Sequence, residues 1–220
     1  MSPRLRLASG SPRRRALLRE LGWDFETVSP DVDETPLPGE RPEALCERLA
    51  RLKAGAGARH PPAPEAGEEL LVLAADTIVV IDGRVLGKPS DREDACAMLR
   101  LLQGRPHEVM TGIALCRQGK ALSAPAGSLL SGVERTTVHF RPLTEHEIQA
   151  YAATGEGDDK AGAYAIQGKG ALLISAIEGD YFNVVGLPLC HLGRMLEGAG
   201  LSLERLWDTP STFSSCPAAT

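Results

Sequence analysis

The sequence predicts an α/β domain built on a mixed β-sheet, and three observations carry that expectation. Short apolar runs of strand type alternate with stretches of helical spacing along most of the 220 residues. Helix-opening signals recur between them, at Ser11-Pro12, Pro42, Ser90, Thr144 and Pro188. Asp82-Gly83 separates two apolar runs as a two-residue hairpin turn, which a wholly parallel sheet would not contain.

Residues 5–8 form the first strand. A helix follows over 12–21, with Ser11 as its N-cap, Pro12 at its first position and Gly22 as its stop. Residues 25–28 read as a second strand and SPDVDETPLPGE (29–40) as a loop. Pro42 opens a helix through Ala44, Leu45, Leu49 and Leu52 that ends near Lys53, and GAGARHPPAPEAGEE (55–69), without apolar periodicity, reads as a flexible surface connection. Strand runs at 70–75 and 78–81 flank Asp76 and lead into the hairpin. A capping box of Ser90 and Glu93 starts a helix ending at Gly104, and strands follow near 109–116 and 133–140. Thr144 and Glu147 repeat the box for a helix ending near Gly155. A Gly-rich loop, a strand at 171–177 and a helix opened by Pro188 complete the order. One domain over residues 1–207 is expected, with 208–220 (DTPSTFSSCPAAT) a disordered tail.

A hydrophobic share of 43% supports a substantial core, while the net charge of -5 offers no general attraction for nucleic acid or an anionic membrane. A basic cluster must then act locally, on a small ligand. Cys46, Cys96, Cys116, Cys190 and Cys216 show no CxxC spacing, which fits reduced thiols better than a disulfide framework or a zinc site. No apolar run approaches membrane-spanning length, so a cytoplasmic location is expected, with neither membrane nor nucleic acid as partner.

In LASGSPRRR (7–15) a strand runs into a helix whose first turn is cationic. Helix N-termini carry partial positive charge, so Arg13, Arg14 and Arg15 are costly there unless an anion lies in front of them. Ser9, Gly10 and Ser11 can offer N–H and hydroxyl groups to phosphate oxygens, and Arg13 and Arg14 charge-assisted contacts. A capped surface helix with solvated arginines uses the same string. Asp31, Asp33 and Glu34 can hold Mg²⁺ or Mn²⁺ through hard oxygens, or be plain solvated charge. Asp76, between apolar runs, needs a partner. A metal or a lysine would keep it ionised to bind metal or deprotonate water, whereas backbone amides would make it structural. Lys88, in LGKP (86–89), returns towards Asp76 after the hairpin, and Lys53 is a second cation; a triphosphate requires several. In GEGDDKAGAYAIQGKGA (155–171), Gln167 offers a donor and an acceptor to a nucleobase edge, with Tyr164 stacking or packing nearby.

Taken in order, LASGSPRR (7–14), SPDVDE (29–34), LAADTIV (73–79), LGKP (86–89), DKAGAYAIQGKG (159–170) and VVGLPL (184–189) resemble the motif series of the Maf family of nucleoside triphosphate pyrophosphatases. The resemblance implies an elongated mixed β-sheet flanked by helices, in two lobes with a nucleotide cleft between them, similar to the inosine triphosphate pyrophosphatases. It implies hydrolysis of a nucleoside triphosphate to monophosphate and pyrophosphate, a divalent cation (Mg²⁺ or Mn²⁺) and a homodimer. By the same resemblance Asp76 would accept the proton of the attacking water, Glu34 with Asp76 would organise the metal, and Ser9, Arg13, Lys53 and Lys88 would hold phosphates. Ser11 and Arg14 join them from the reading above. Arg13, Thr77 and Gln167 match positions of substrate choice, whereas Arg15, one step further round the helix, reads as solvent-facing.

AADT and KAGAYAIQG resemble the subgroup acting on dTTP and UTP rather than the one preferring 7-methyl-GTP. Ala165 stands where glycine is frequent, and GEGDD where GEPLD is usual. The competing readings are a pyrophosphatase for 7-methyl-GTP or other modified nucleotides, a phosphomonoesterase, and a non-catalytic nucleotide sensor in septation. Their products separate them.

Overall fold

A computed structural model describes residues 3–65, 68–119, 128–202 and 204 of the chain, so the tail expected over 208–220 lies outside the described residues. Among the described residues one mixed sheet contains β1 (Arg4–Ala8), β2 (Glu26–Val28), β3 (Glu69–Ile81), β4 (Arg84–Leu86), β5 (Pro106–Gly119), β6 (Leu129–Phe140) and β7 (Ile174–Glu178). The strands lie in the order β2-β1-β3-β5-β6-β7, with β4 also paired to β3. β1 is parallel to β2 and β3, and every other pair is antiparallel. The expected hairpin joins β3 to β4, and both Asp82 and Gly83 have the positive φ that a type I′ turn requires.

The two strand runs expected around Asp76 are one continuous strand, because β5 pairs with β3 from Glu69↔Gly119 to Val80↔Glu108. On the other side of β3 the partner changes. Pairing with β1 stops at Leu7↔Leu73, and pairing with β4 starts only at Val79↔Leu86. Residues 74–78 therefore have no strand partner on that side.

Helices α1 (Pro12–Glu20), α2 (Pro42–Arg59), α3 (Arg92–Leu102), α4 (Glu145–Ala152), α5 (Tyr181–Val185) and α6 (Leu189–Gly198) cover the sheet. Alternation along β3 sorts its side chains between the two faces. Leu70, Val72 and Ala74 pack under Ala50, Ala54 and Ala58 of α2, and Ile78 and Val80 continue that face against Cys46. On the opposite face Leu71, Leu73 and Ala75 meet Leu17 and Leu18 of α1 and Leu192 and Leu196 of α6. Further along, Val79 and Ile81 meet Leu99 and Leu102 of α3 and Ile148 of α4. Two lobes result, joined by the long strands and spanned by α2.

Several boundaries differ from expectation. Helix α2 continues to Arg59, so Lys53 lies well inside it and residues 55–59 are not a loop. Small residues do the packing there, which is why no apolar period shows. A Cβ on Gly57 would lie 2.6 Å from Ala8 Cβ and 3.0 Å from Val72 Cγ1, so the helix crosses the sheet at a distance that only glycine permits. The end of α2 is also held by Arg6, which is fully buried. Its Nε donates to Glu26 Oε1 at 2.6 Å, Nη1 to the carbonyls of Gly57 (2.9 Å) and His60 (2.5 Å), and Nη2 to that of Pro62 (2.7 Å).

The expected Ser90/Glu93 box is displaced by one residue. Asp91 is the N-cap of α3, accepting from Asp94 N at 2.9 Å, while the Asp94 carboxylate accepts from Ser90 N at 2.9 Å. The Thr144/Glu147 box forms as expected. β7 begins at Ile174 rather than Ala171, since Gly168–Leu173 is a 3₁₀ turn. Short α5 was not anticipated, although its signals are present: Asp180 caps it through Phe182 N at 2.8 Å, and Gly186 ends it with φ 119°. No described helix is long and apolar enough to cross a membrane.

Candidate active site

A cleft of about 800 Å³ opens where β3 lacks its strand partner, between the end of β1 and the start of β4. Asp76 and Thr77, adjacent in the strand, point to opposite faces of a sheet. The gap in pairing lets both line the same cleft. Of the residues expected from sequence, Ser9, Ser11, Arg13, Arg14, Glu34, Lys53, Asp76, Thr77, Lys88 and Gln167 line it, and Asp31 and Asp33 do not.

Asp76 has its side chain only 12% exposed, and its partner is a lysine. Lys53 Nζ lies 2.6 Å from Asp76 Oδ1 and 2.7 Å from Glu34 Oε1, drawing together carboxylates that are 42 positions apart in sequence. Lys53 and Gly57, four residues apart on α2, share a helix face, so the close crossing at Gly57 also delivers the ammonium to β3. Of the acidic loop, Glu34 reaches the cleft, while Asp33 accepts the N–H of Thr35 at 2.9 Å in a local turn. Asp31 does not line the cleft.

Ser11 caps α1 as expected, its Oγ accepting from Arg14 N at 3.5 Å. Arg14 differs from its sequence neighbours. Its Nε donates to the carbonyl of Gly186 at 2.7 Å, Nη1 to Ser9 Oγ at 2.9 Å and Nη2 to Thr77 Oγ1 at 3.0 Å. Two of its five N–H groups are left. Burial lowers its pKa to about 10, with Arg13 adding to the effect and Asp76 and Glu34 opposing it. Thr111 Oγ1 donates to the Asn183 carbonyl at 3.1 Å, so in the 2.9 Å contact between Thr77 and Thr111 the proton belongs to Thr77. The Thr77 hydroxyl thus donates away from the cleft and accepts from Arg14.

Arg13 Nη1 stands 3.6 Å from Asp159 Oδ2, and Lys160 Nζ bonds the same carboxylate. The Lys160 bond holds the Asp159 carboxyl below its ordinary pKa, and Arg13 adds to this against partial burial. This pair was visible as a charged string but not assigned to the site; both residues line the cleft. Lys88 and Gln167 line it as exposed side chains. Arg15 turns back to the Gly10 carbonyl at 3.2 Å and stays out of the cleft. Tyr164 packs rather than stacks: its hydroxyl meets His107 Nε2 at 2.8 Å, and its ring stands edge-on to Phe140 with centroids 4.8 Å apart.

Among the described residues no group of three or more His, Cys, Asp or Glu side chains converges. The oxygens of Glu34 and Asp76, brought together on Lys53, are the donors on offer. That set fits Mg²⁺ or Mn²⁺, since such ions are commonly held by one or two carboxylates, with waters and substrate phosphates completing the shell. Cys46, Cys96, Cys116 and Cys190 are free thiols.

The family model described as Maf-like protein matches residues 4–199. A dTTP/UTP pyrophosphatase of Pelotomaculum thermopropionicum is 49% identical over 90% of this chain and 97% of its own length. One of Symbiobacterium thermophilum is 50% identical over 88% of this chain and 93% of its own. Among solved structures, the Ham1 protein of Staphylococcus aureus aligns with 89% of this chain and 98% of its own at 17% identity, with a TM-score of 0.44. On the extent of the family match and the identity to these relatives, the chain belongs to the Maf family.

Proposed function

We propose that this protein hydrolyses nucleoside triphosphates, dTTP and UTP foremost, to the nucleoside monophosphate and pyrophosphate. The observation that carries this reading is Lys53, which holds Asp76 and Glu34 together in the cleft that Ser9–Arg14 also line. Five cationic side chains face the cleft against the carboxylates of Glu34, Asp76 and Asp159, a net positive balance that favours a polyphosphate. The names of the relatives support the pyrimidine substrates.

Ser9, Ser11 and Arg13 bind phosphate oxygens at the start of α1, and Lys88 reaches them from the far lip. Arg14, with most of its donors on protein groups, chiefly shapes the loop that binds. Asp76 orients a water towards the α-phosphorus and takes its proton as the new P–O bond forms. The α–β bridging bond breaks and its electron pair leaves with pyrophosphate, whose growing charge Lys53 and Arg13 stabilise. Glu34 and Asp76 would hold Mg²⁺ or Mn²⁺, which when bound supplies charge neutralisation at the phosphate oxygens. Gln167 meets the base edge at the lip of the cleft.

Chromatography of products from a panel of triphosphates with Mg²⁺ or Mn²⁺ tests the reaction: monophosphate and pyrophosphate are expected, and orthophosphate alone refutes it. Asp76→Asn should lower kcat by about 10²–10⁴-fold, the range for a positioned base, while dTTP still binds. Near wild-type turnover by that variant would remove Asp76 from the role.

A further inference from the structure

We propose that Glu156, outside the cleft, is a positioning residue that fixes Gln167 and thereby governs nucleobase selection. The proposal rests on the reading of Gln167 as the residue that meets the base. Glu156 Oε1 accepts the N–H of Lys169 at 3.0 Å and Oε2 that of Gly170 at 2.8 Å, the second and third residues after Gln167. Two residues before Gln167, the N–H of Ala165 donates to the Tyr151 hydroxyl at 3.1 Å. Gln167 is thus bracketed by two anchors, both from the segment that closes α4. At Gly168, with φ 66°, an added Cβ would lie 2.3 Å from Glu156 Oε1, so the carboxylate fills the space a side chain would need. The Glu156 carbonyl in turn receives Lys160 Nζ, tying the anchor to the ion pair at the cleft mouth.

Both carboxylate oxygens are occupied by backbone donors, which makes Glu156→Gln a discriminating change. It preserves volume but sets an NH₂ group against one of the two N–H groups. Glu156 lines no part of the cleft, so its side chain is not expected to contact phosphate.

The test is kcat/KM for dTTP, UTP and dGTP in the wild type, Glu156→Gln, Gln167→Ala and the double variant, with pyrophosphate inhibition as a control. Glu156→Gln should lower the pyrimidine-to-purine ratio about 3- to 10-fold, mainly through KM, with the pyrophosphate inhibition constant unchanged. The double variant should show the ratio of Gln167→Ala alone. Tyr151→Phe, which at constant shape removes the Ala165 anchor and a hydroxyl that also bonds Glu156, should move the same ratio. A merely structural role would depress all substrates equally and leave the ratio fixed, which overturns the proposal. If Gln167→Ala shifts the ratio and Glu156→Gln does not, the anchoring role fails while the base-contact reading stands. If Gln167→Ala leaves the ratio unchanged, the base-contact reading fails and takes the proposal with it. Additive shifts in the double variant would place the action of Glu156 elsewhere and also overturn it.

Discussion

Replacing Gly57 with alanine sets two effects of opposite sign against each other. On helix propensity alone, Gly→Ala in a helix interior gains about 1 kcal/mol. At Gly57, however, the new Cβ would stand 2.6 Å from Ala8 Cβ, about 1 Å inside favourable carbon contact. Ala8 Cβ has no rotamer by which to withdraw. Overpacking of this kind costs about 1–3 kcal/mol, so set against the propensity gain a net loss of up to about 2 kcal/mol is expected. For a chain of this length that corresponds to a fall in Tm of up to about 8 °C. Gly55→Ala is the control in the same helix: its Cβ would meet only Arg59 Nη1, at 3.5 Å, so the propensity gain survives. Its Tm should rise by about 2–4 °C. Activity follows Lys53, one turn before Gly57, because a helix pushed off the sheet lifts the ammonium from Asp76. Displacements near 1 Å cost up to about 10²-fold, so a loss of at least about tenfold in kcat/KM for dTTP is expected for Gly57→Ala. None is expected for Gly55→Ala. Thermal unfolding followed by circular dichroism, with coupled detection of pyrophosphate, reads both quantities. A Gly57→Ala protein that melts higher than the wild type, or that keeps full activity, would refute the reasoning.

Asp159→Asn releases Arg13 from a carboxylate 3.6 Å away that is 60% exposed. Such pairs are worth about 0.2–1 kcal/mol, so KM for dTTP should fall by a factor of about 1.5–5, most clearly at low salt; an increase would show Asp159 helping rather than competing. His107 provides a pH test of stability. Burial depresses its pKa from 6.5 to about 4, so as pH falls the unfolded chain takes up the proton first, and stability is lost between those values. Urea denaturation at about pH 7.5 and about pH 4.5 should show a loss in the wild type that exceeds that of His107→Phe by about 2–3 kcal/mol. Equal losses would place the acid sensitivity elsewhere.

The site was more legible than the elements that carry it, for a physical reason. Ser9, Arg13 and Asp76 stand in short strings whose residue types alone mark them as candidates, and all three line the same cleft. The length of α2 carries no such mark, because Ala54, Gly57 and Ala58 pack by being small and leave no apolar period. The different employment of Arg13 and Arg14 was equally invisible. Two of the three acceptors of Arg14 come from Thr77 and Gly186, on elements that reach it only in three dimensions. Tyr164 could have stacked or packed, and His107 and Phe140 decided the matter from distant strands. The capping box at Thr144 was readable because all its partners are local; the one at Ser90 slipped because Asp91 takes the N–H of Asp94 and Asp94 that of Ser90, one residue further along.

The buried guanidinium of Arg6 constrains how this chain can vary. Three of its four acceptors are backbone carbonyls, at Gly57, His60 and Pro62, and any residue supplies a carbonyl. As far as Arg6 is concerned, the side chains after α2 are therefore immaterial, yet the connection cannot be shortened through residues 60–62 without leaving a buried cation short of partners. Sequence drift is permitted there and deletion is not, so a stretch that looks dispensable by composition holds a fixed length.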